Sequence, residues 1–280
     1  MTEAIQPREE CWRNPANGHT LFARIWEPVP AWAWLILVHG FGEHSGRYGR
    51  LAHAIASHGL AVACADLWGH GRSEGQRGDI ERFEEYLHDL EALVNHCLAA
   101  REPSSYVVFG HSFGGLLAAR WAERRPAGLR SVILQSPLLE VGFPLPRWKE
   151  ALVNQGARWC PRLSLRLGLN PAWLSHDAQV VQDYQDDPLV HNRMTLRCAA
   201  ALRAAMRQVL DDAGQIRIPT LLLYGTEDRI VSVAACQRFY ERLACDKRLV
   251  SFPACYHELH HEAVRPTVVE EVVHWIQTYA

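Results

Sequence analysis

Three short stretches carry chemistry in their spacing. "CYHELHHEAV" (255–264) holds His257, Glu258 and His261 as H-E-x-x-H, while "GRSEG" (71–75) and "GHSFG" (110–114) each set a serine between glycines. On a helix, the first pattern puts two imidazoles on one face to grip Zn²⁺, with the glutamate between them as general base. At a tight strand-to-helix turn, the second lifts a serine hydroxyl clear of a sheet as a nucleophile. Which chemistry is present depends on the elements that carry these residues.

Those elements separate the two serines. "SYVVFGHSFGGLLAARWAER" runs from a β-branched strand through Ser112 into a strong helix former. Ser73 lies in "WGHGRSEGQRGD", with no apolar run directly before it, and reads as a loop residue. A serine hydroxyl is a weak nucleophile at neutral pH, so it needs a base of pKa near 7, and the base needs a carboxylate to fix its tautomer. In the chain order Ser, acid, His, Asp228 follows the strand "PTLLLYG" and His257 follows "RLVSFPACY". The expected roles are attack by Ser112, proton transfer by His257 and orientation of His257 by Asp228, with Glu140 after "SVILQS" as the rival acid. The backbone N–H groups of Phe113, after the nucleophile, and Phe41, in "LVHGFGEHSGRY", are expected to hold the oxyanion. As an alternative, that H-G-x-G is only a turn.

Position in the chain decides the histidines as well. His257 directly follows a strand and a turn containing Pro253, which places it on a loop with the helix beginning a few residues later. His257 and His261 then do not share a face, and no metal is expected.

Around these sites, short apolar runs alternate with helical patterns, as in a mostly parallel sheet flanked by helices. Strands are expected at 34–40, 60–66, 105–111, 131–137, 219–225 and 248–254, and helices at 48–58, 82–100, 113–125, 233–244 and 262–278. The alternation stops for about eighty residues, which gives an α/β core over 1–136 and 216–280 and an inserted, mainly helical cap over 137–215. The insert, with "LPRWKEALVNQGARWCPRLSLRLGLNPAW" and "LRCAAALRAAMRQVL", reads either as a packing subdomain with a solvated basic face or as a lid whose apolar residues accept an acyl chain or touch a lipid surface.

A net charge of -2 gives no global pull toward nucleic acid or anionic lipid, so any partner is recognised locally. The polar opening "MTEAIQPREE" has no export pattern, "AWAWLILV" is too short to span a bilayer, and the eight scattered cysteines lack a C-x-x-C. A soluble, cytoplasmic protein with reduced thiols is the expectation.

"HGFGEHSGRY" (39–48), "DLWGHGRSEG" (66–75), "GHSFGG" (110–115), "GTEDRIV" (225–231) and "YHELHHE" (256–262) together resemble the monoacylglycerol lipase and lysophospholipase branch of the α/β-hydrolases, which is also grouped with serine aminopeptidases. "WLSHDAQVVQDYQDDPLV" (173–190) is similar to that branch's cap. The resemblance implies an α/β-hydrolase fold, a serine esterase without cofactor, a small lipid or ester substrate, and Glu43, Arg47 and His260 near the polar head of a glyceride. An internal Glu43–Arg47 ion pair is the alternative for the first two. Phe41 is large where smaller residues also occur in the branch. Lysophospholipid, thioester or peptide-amide substrates stay open, as does a module of this fold that binds a ligand without turning it over.

Overall fold

The computed structural model describes residues 5–99, 105–143 and 147–280. Strands β1 (Arg8–Arg13) and β2 (Thr20–Trp26) form an antiparallel hairpin, and β3 (Ala33–Val38), helix α1 (Gly49–Ala56), β4 (Leu60–Asp66) and α2 (Glu84–Leu98) follow. Next come β5 (Tyr106–His111), α3 (Phe113–Glu123) and β6 (Leu129–Gln135). The intervening segment carries α4 (Arg147–Trp159), β7 (Ser164–Arg166), α5 (Ala178–Asp186), β8 (Arg193–Thr195) and α6 (Leu196–Asp212). The chain then returns through β9 (Thr220–Gly225), α7 (Val233–Arg242), β10 (Lys247–Phe252) and α8 (Arg265–Tyr279).

Eight strands form one sheet in the order β1-β2-β4-β3-β5-β6-β9-β10. From β4 to β10 every pairing is parallel, and only β1 and β2 run against their neighbours. Both faces are covered, so the central strands read as unbroken apolar runs rather than alternating ones. In β3, Trp34, Ile36 and Val38 join the core under α2, α3 and α6, while Leu35 and Leu37 join the core under α1 and α8. Helix α8 shows the matching period, burying Val268, Val269, Val272, Val273 and Ile276 along one stripe.

The six strands and five helices expected from the sequence are present to within three residues at each end, although residue 100 of the expected second helix lies outside the described residues. Helix α8 starts at Arg265 rather than 262, because Pro266 in its first turn suits a helix start. The β1–β2 hairpin was not foreseen. β1 is a sheet edge with a polar, partly exposed face, so it lacks the apolar run that marks the inner strands. The intervening segment adds a short antiparallel ribbon, β7 with β8, to its helices. Among the described residues, no helix is long and apolar enough to cross a membrane, and none of the eight cysteines is in a disulfide.

Candidate active site

Ser112 occupies the turn between β5 and α3 with φ 52° and ψ -115°, a conformation that side chains other than glycine rarely adopt. The glycines on either side are required by space. A Cβ on Gly110 would stand 2.2 Å from the Gly114 carbonyl oxygen, and one on Gly114 would stand 2.1 Å from that of Val38. The turn is thus pressed against the end of β3, and Ser112 opens onto a cavity of about 190 Å³.

His257 lines the same cavity from the loop after β10. Its Nδ1 meets Asp228 Oδ2 at 2.7 Å, which leaves the Nε2 edge of the ring for a serine. Asp228 sits in the turn after β9, and its other oxygen accepts the backbone N–H groups of Ile230 at 2.8 Å and Val231 at 3.0 Å. Burial alone would lower the His257 pKa, but the charge and hydrogen bond of Asp228 outweigh it and hold the pKa above the ordinary histidine value. The pair can therefore accept a proton and stabilise the resulting imidazolium.

Phe41 lines the cavity and Phe113 is buried at the start of α3. Among the described residues, neither backbone N–H has a protein acceptor. The rings of Phe41 and Phe113 meet edge to face with centroids 5.7 Å apart.

The three residues expected at a glyceride head divide. Glu43 lines the cavity, whereas Arg47 and His260 are not among its lining residues. Arg47 is an ion-pair hub. Its Nε donates to Glu43 Oε2 at 2.9 Å, and its Nη2 donates to the two oxygens of Glu258 at 2.8 and 2.6 Å. Burial pushes the Glu43 carboxyl up, but Arg47, His111, His39 and the Tyr48 hydroxyl together pull it down to about 2. His260 is buried against Tyr48, with ring centroids 4.7 Å apart. The Gln135 amide joins His260 Nδ1 at 2.7 Å to His111 Nδ1 at 3.0 Å. Burial lowers the pKa of both histidines, so both are neutral near pH 7.

The rejected candidates have other occupations. Ser73 Oγ donates to the Asp66 carbonyl at 2.5 Å and accepts from the Phe22 N–H, so it braces a loop. Glu140 is half exposed and paired with Arg238. For the zinc pattern, His257 is committed to Asp228, and only a single 3₁₀ turn, Leu259–His261, lies in the stretch that a zinc helix would need. Glu258, His260 and His261 do bring ligand atoms within 4.8 Å of one another. Both Glu258 oxygens, however, already accept from the Arg47 guanidinium, and a divalent ion would have to displace that cation.

From the sequence, Glu258 had a part only in the zinc pattern, and no role was indicated for Gln135 or the cavity-lining Tyr184 and His191. His111 stood inside the serine motif, yet nothing in its spacing pointed to Gln135. Burial pushes the His191 pKa down to about 4, and its backbone N–H donates to the Gly42 carbonyl at 2.8 Å, which ties the intervening segment to the Phe41 loop.

The family described as serine aminopeptidase, S33, matches residues 30–264. An uncharacterized abhydrolase domain-containing protein of Dictyostelium discoideum is 33% identical over 94% of this chain, which spans only 28% of that protein's length. The monoglyceride lipase of Rattus norvegicus is 31% identical, over 100% of this chain and 95% of its own. Among solved structures, the monoacylglycerol lipase of Paleococcus ferrophilus superposes with a TM-score of 0.81 at 32% identity, covering 97% of this chain and 98% of its own.

Proposed function

This chain belongs to the serine aminopeptidase S33 family, within the α/β-hydrolases, and on that footing we propose that it is a serine hydrolase that cleaves monoacylglycerols through an acyl-enzyme. One observation carries the reading: the Asp228–His257 pair, 2.7 Å apart, lines one cavity together with a strained Ser112. His257 takes the proton of Ser112 as its oxygen attacks the ester carbonyl. The carbonyl oxygen gains the negative charge, and the Phe41 and Phe113 N–H groups stabilise it. His257 then returns the proton to the departing glycerol oxygen, which leaves the acyl group on Ser112. Water repeats the sequence, with its proton passing through His257, and releases the fatty acid. Leu138, Leu167, Leu169, Leu174, Met194 and Ile230 give the cavity an apolar wall suited to an acyl chain.

A protein that only retains a ligand has no use for a strained serine beside a base with a raised pKa, so the strain supports turnover over simple binding. The segment between β6 and β9 acts as the cap over residues 137–215, and its exposed apolar side chains meet an anionic lipid surface. Trp159, Leu163 and Leu165 are exposed and interleaved with Arg158, Arg162 and Arg166, and no acidic residue occurs between 151 and 176. The test is intact mass with peptide mapping after treatment with a long-chain alkyl fluorophosphonate, run beside monoacylglycerol hydrolysis with and without chelator. One adduct on Ser112 and chelator-resistant hydrolysis are expected. Activity lost to chelator with no adduct would sink the serine mechanism.

A further inference from the structure

Arg47 is held where it does not face the cavity, yet it joins the two loops that the proposed reaction must keep in register. One loop carries Gly40 and Phe41 after β3. The other carries His257 and Glu258 after β10. Glu43 Oε1 accepts the Gly40 N–H at 2.6 Å and the Tyr48 hydroxyl at 2.5 Å. A Cβ on Gly40 would lie only 2.6 Å from that same oxygen, so glycine is what lets the carboxylate close on the backbone. With the Gly40 N–H fixed on Glu43, the next peptide, which carries the Phe41 N–H, has a defined orientation at the cavity. On the other side, Glu258 is the residue after His257, and its own N–H donates to the Leu174 carbonyl at 2.8 Å.

The guanidinium spans the space between the two carboxylates. The Arg47 and Glu43 side chains are 7% and 4% exposed and that of Glu258 is 2% exposed, so no water layer softens the contacts. The planar fork of arginine can serve two carboxylates at once through different nitrogens, which an ammonium on a flexible stem does poorly. The Arg47 guanidinium carbon also lies 4.8 Å from the ring centroid of Tyr184, a cavity-lining residue of α5.

We propose that the Glu43–Arg47–Glu258 bridge is a positioning device that holds the Phe41 amide in register with His257, and that Arg47 does not contact the glycerol head of the substrate. The proposal rests on the serine-hydrolase reading above. Arg47 acts through its neighbours on groups used with every ester, so its loss falls on turnover whatever the leaving group. A residue that recognised glycerol hydroxyls would matter only for substrates that carry them.

The experiment compares the glycerol ester and the ethyl ester of one fatty acid in the wild type, Arg47→Ala, Arg47→Lys and Ser112→Ala. Active sites are counted by fluorophosphonate labelling. For Arg47→Ala, kcat per labelled site is expected to fall roughly 10- to 100-fold on both esters, as for a misplacement on the ångström scale, with little change in KM. Added guanidinium ion at low, non-denaturing concentration is expected to restore part of the rate to Arg47→Ala but none to Arg47→Lys, where the ammonium fills the site. Where Arg47→Ala does not fold, the triple variant Glu43→Gln/Arg47→Met/Glu258→Gln, which removes all three charges of the bridge together, carries the same prediction for kcat. A loss confined to the glycerol ester and expressed in KM would overturn the proposal, as would an unchanged kcat per labelled site. Full activity in Ser112→Ala would instead overturn the serine reading itself, a separate outcome from any result at Arg47.

Discussion

The proton balance at His257 sets the pH dependence of the proposed reaction. Burial opposes its charged form and Asp228 favours it, and the net pKa lies above 6.5. Attack needs neutral His257, so acylation is expected to rise with pH through a midpoint above 6.5 and then level off. In Asp228→Asn burial remains but the opposing charge is gone, so the midpoint should move to lower pH while kcat falls by about three to four orders of magnitude. A pH–rate profile for both proteins checks this, and an unshifted midpoint would remove Asp228 from the role. The same raised pKa contributes stability that is present below the unfolded value and is lost as pH rises through the folded one. Ser112→Ala is expected to leave only residual hydrolysis, measured under saturating monoacylglycerol. Near wild-type activity would contradict the assignment.

At the level of elements, the turn around Ser112 requires glycine, which can be tested against a position that does not. Gly114→Ala forces a Cβ to within 2.1 Å of the Val38 carbonyl oxygen, a backbone atom that cannot swing aside. It is expected to cost roughly 1–3 kcal/mol or more and to abolish fluorophosphonate labelling. Gly49, at the start of α1 with φ -53°, has nothing within 4 Å of where its Cβ would be. Gly49→Ala should therefore raise stability by about 0.4–1 kcal/mol and leave labelling intact. Thermal unfolding of both variants decides the contrast, and equal shifts would show the Gly114 contact to be relaxed away. This close packing explains what was legible in the sequence. Strand, glycine and helix follow one another locally around Ser112, and each of Asp228 and His257 stands directly after a strand. The Arg47–Glu258 pair spans 211 residues and joins two loops, so no local pattern reveals it. A local pattern did suggest zinc at 257–261, because spacing says nothing about backbone conformation. Only the strand ending at Phe252 and the turn after it showed that the stretch was not helical.

For the whole molecule, parallel pairing requires crossover connections, and the α/β alternation announced that architecture without the strand order. The antiparallel edge strand β1 escaped because it is half solvent-facing, and β2, buried between β1 and β4, because Arg24 interrupts its apolar run. The proposed role of the segment between β6 and β9 depends instead on how the molecule would meet the proposed substrate, since a monoacylglycerol resides in an interface. Net charge -2 offers no long-range attraction to an anionic bilayer, so attraction has to be local, and the proposed contact draws it from Arg158, Arg162 and Arg166. Each basic residue brought to such a surface contributes about 1 kcal/mol, and the attraction decays within a Debye length of about 10 Å at 0.1 M salt. Trp159, 76% exposed, and Leu163, 55% exposed, supply apolar surface beside those charges. In vesicle flotation the protein is expected to rise with liposomes containing phosphatidylglycerol, and less with purely zwitterionic ones. The difference should shrink toward 1 M salt, where the Debye length is about 3 Å. Trp159→Ala/Leu163→Ser should weaken flotation while leaving hydrolysis of a dissolved short-chain ester unchanged, because neither side chain lines the cavity. Binding that ignores both lipid charge and these two side chains would place the membrane contact elsewhere on the molecule.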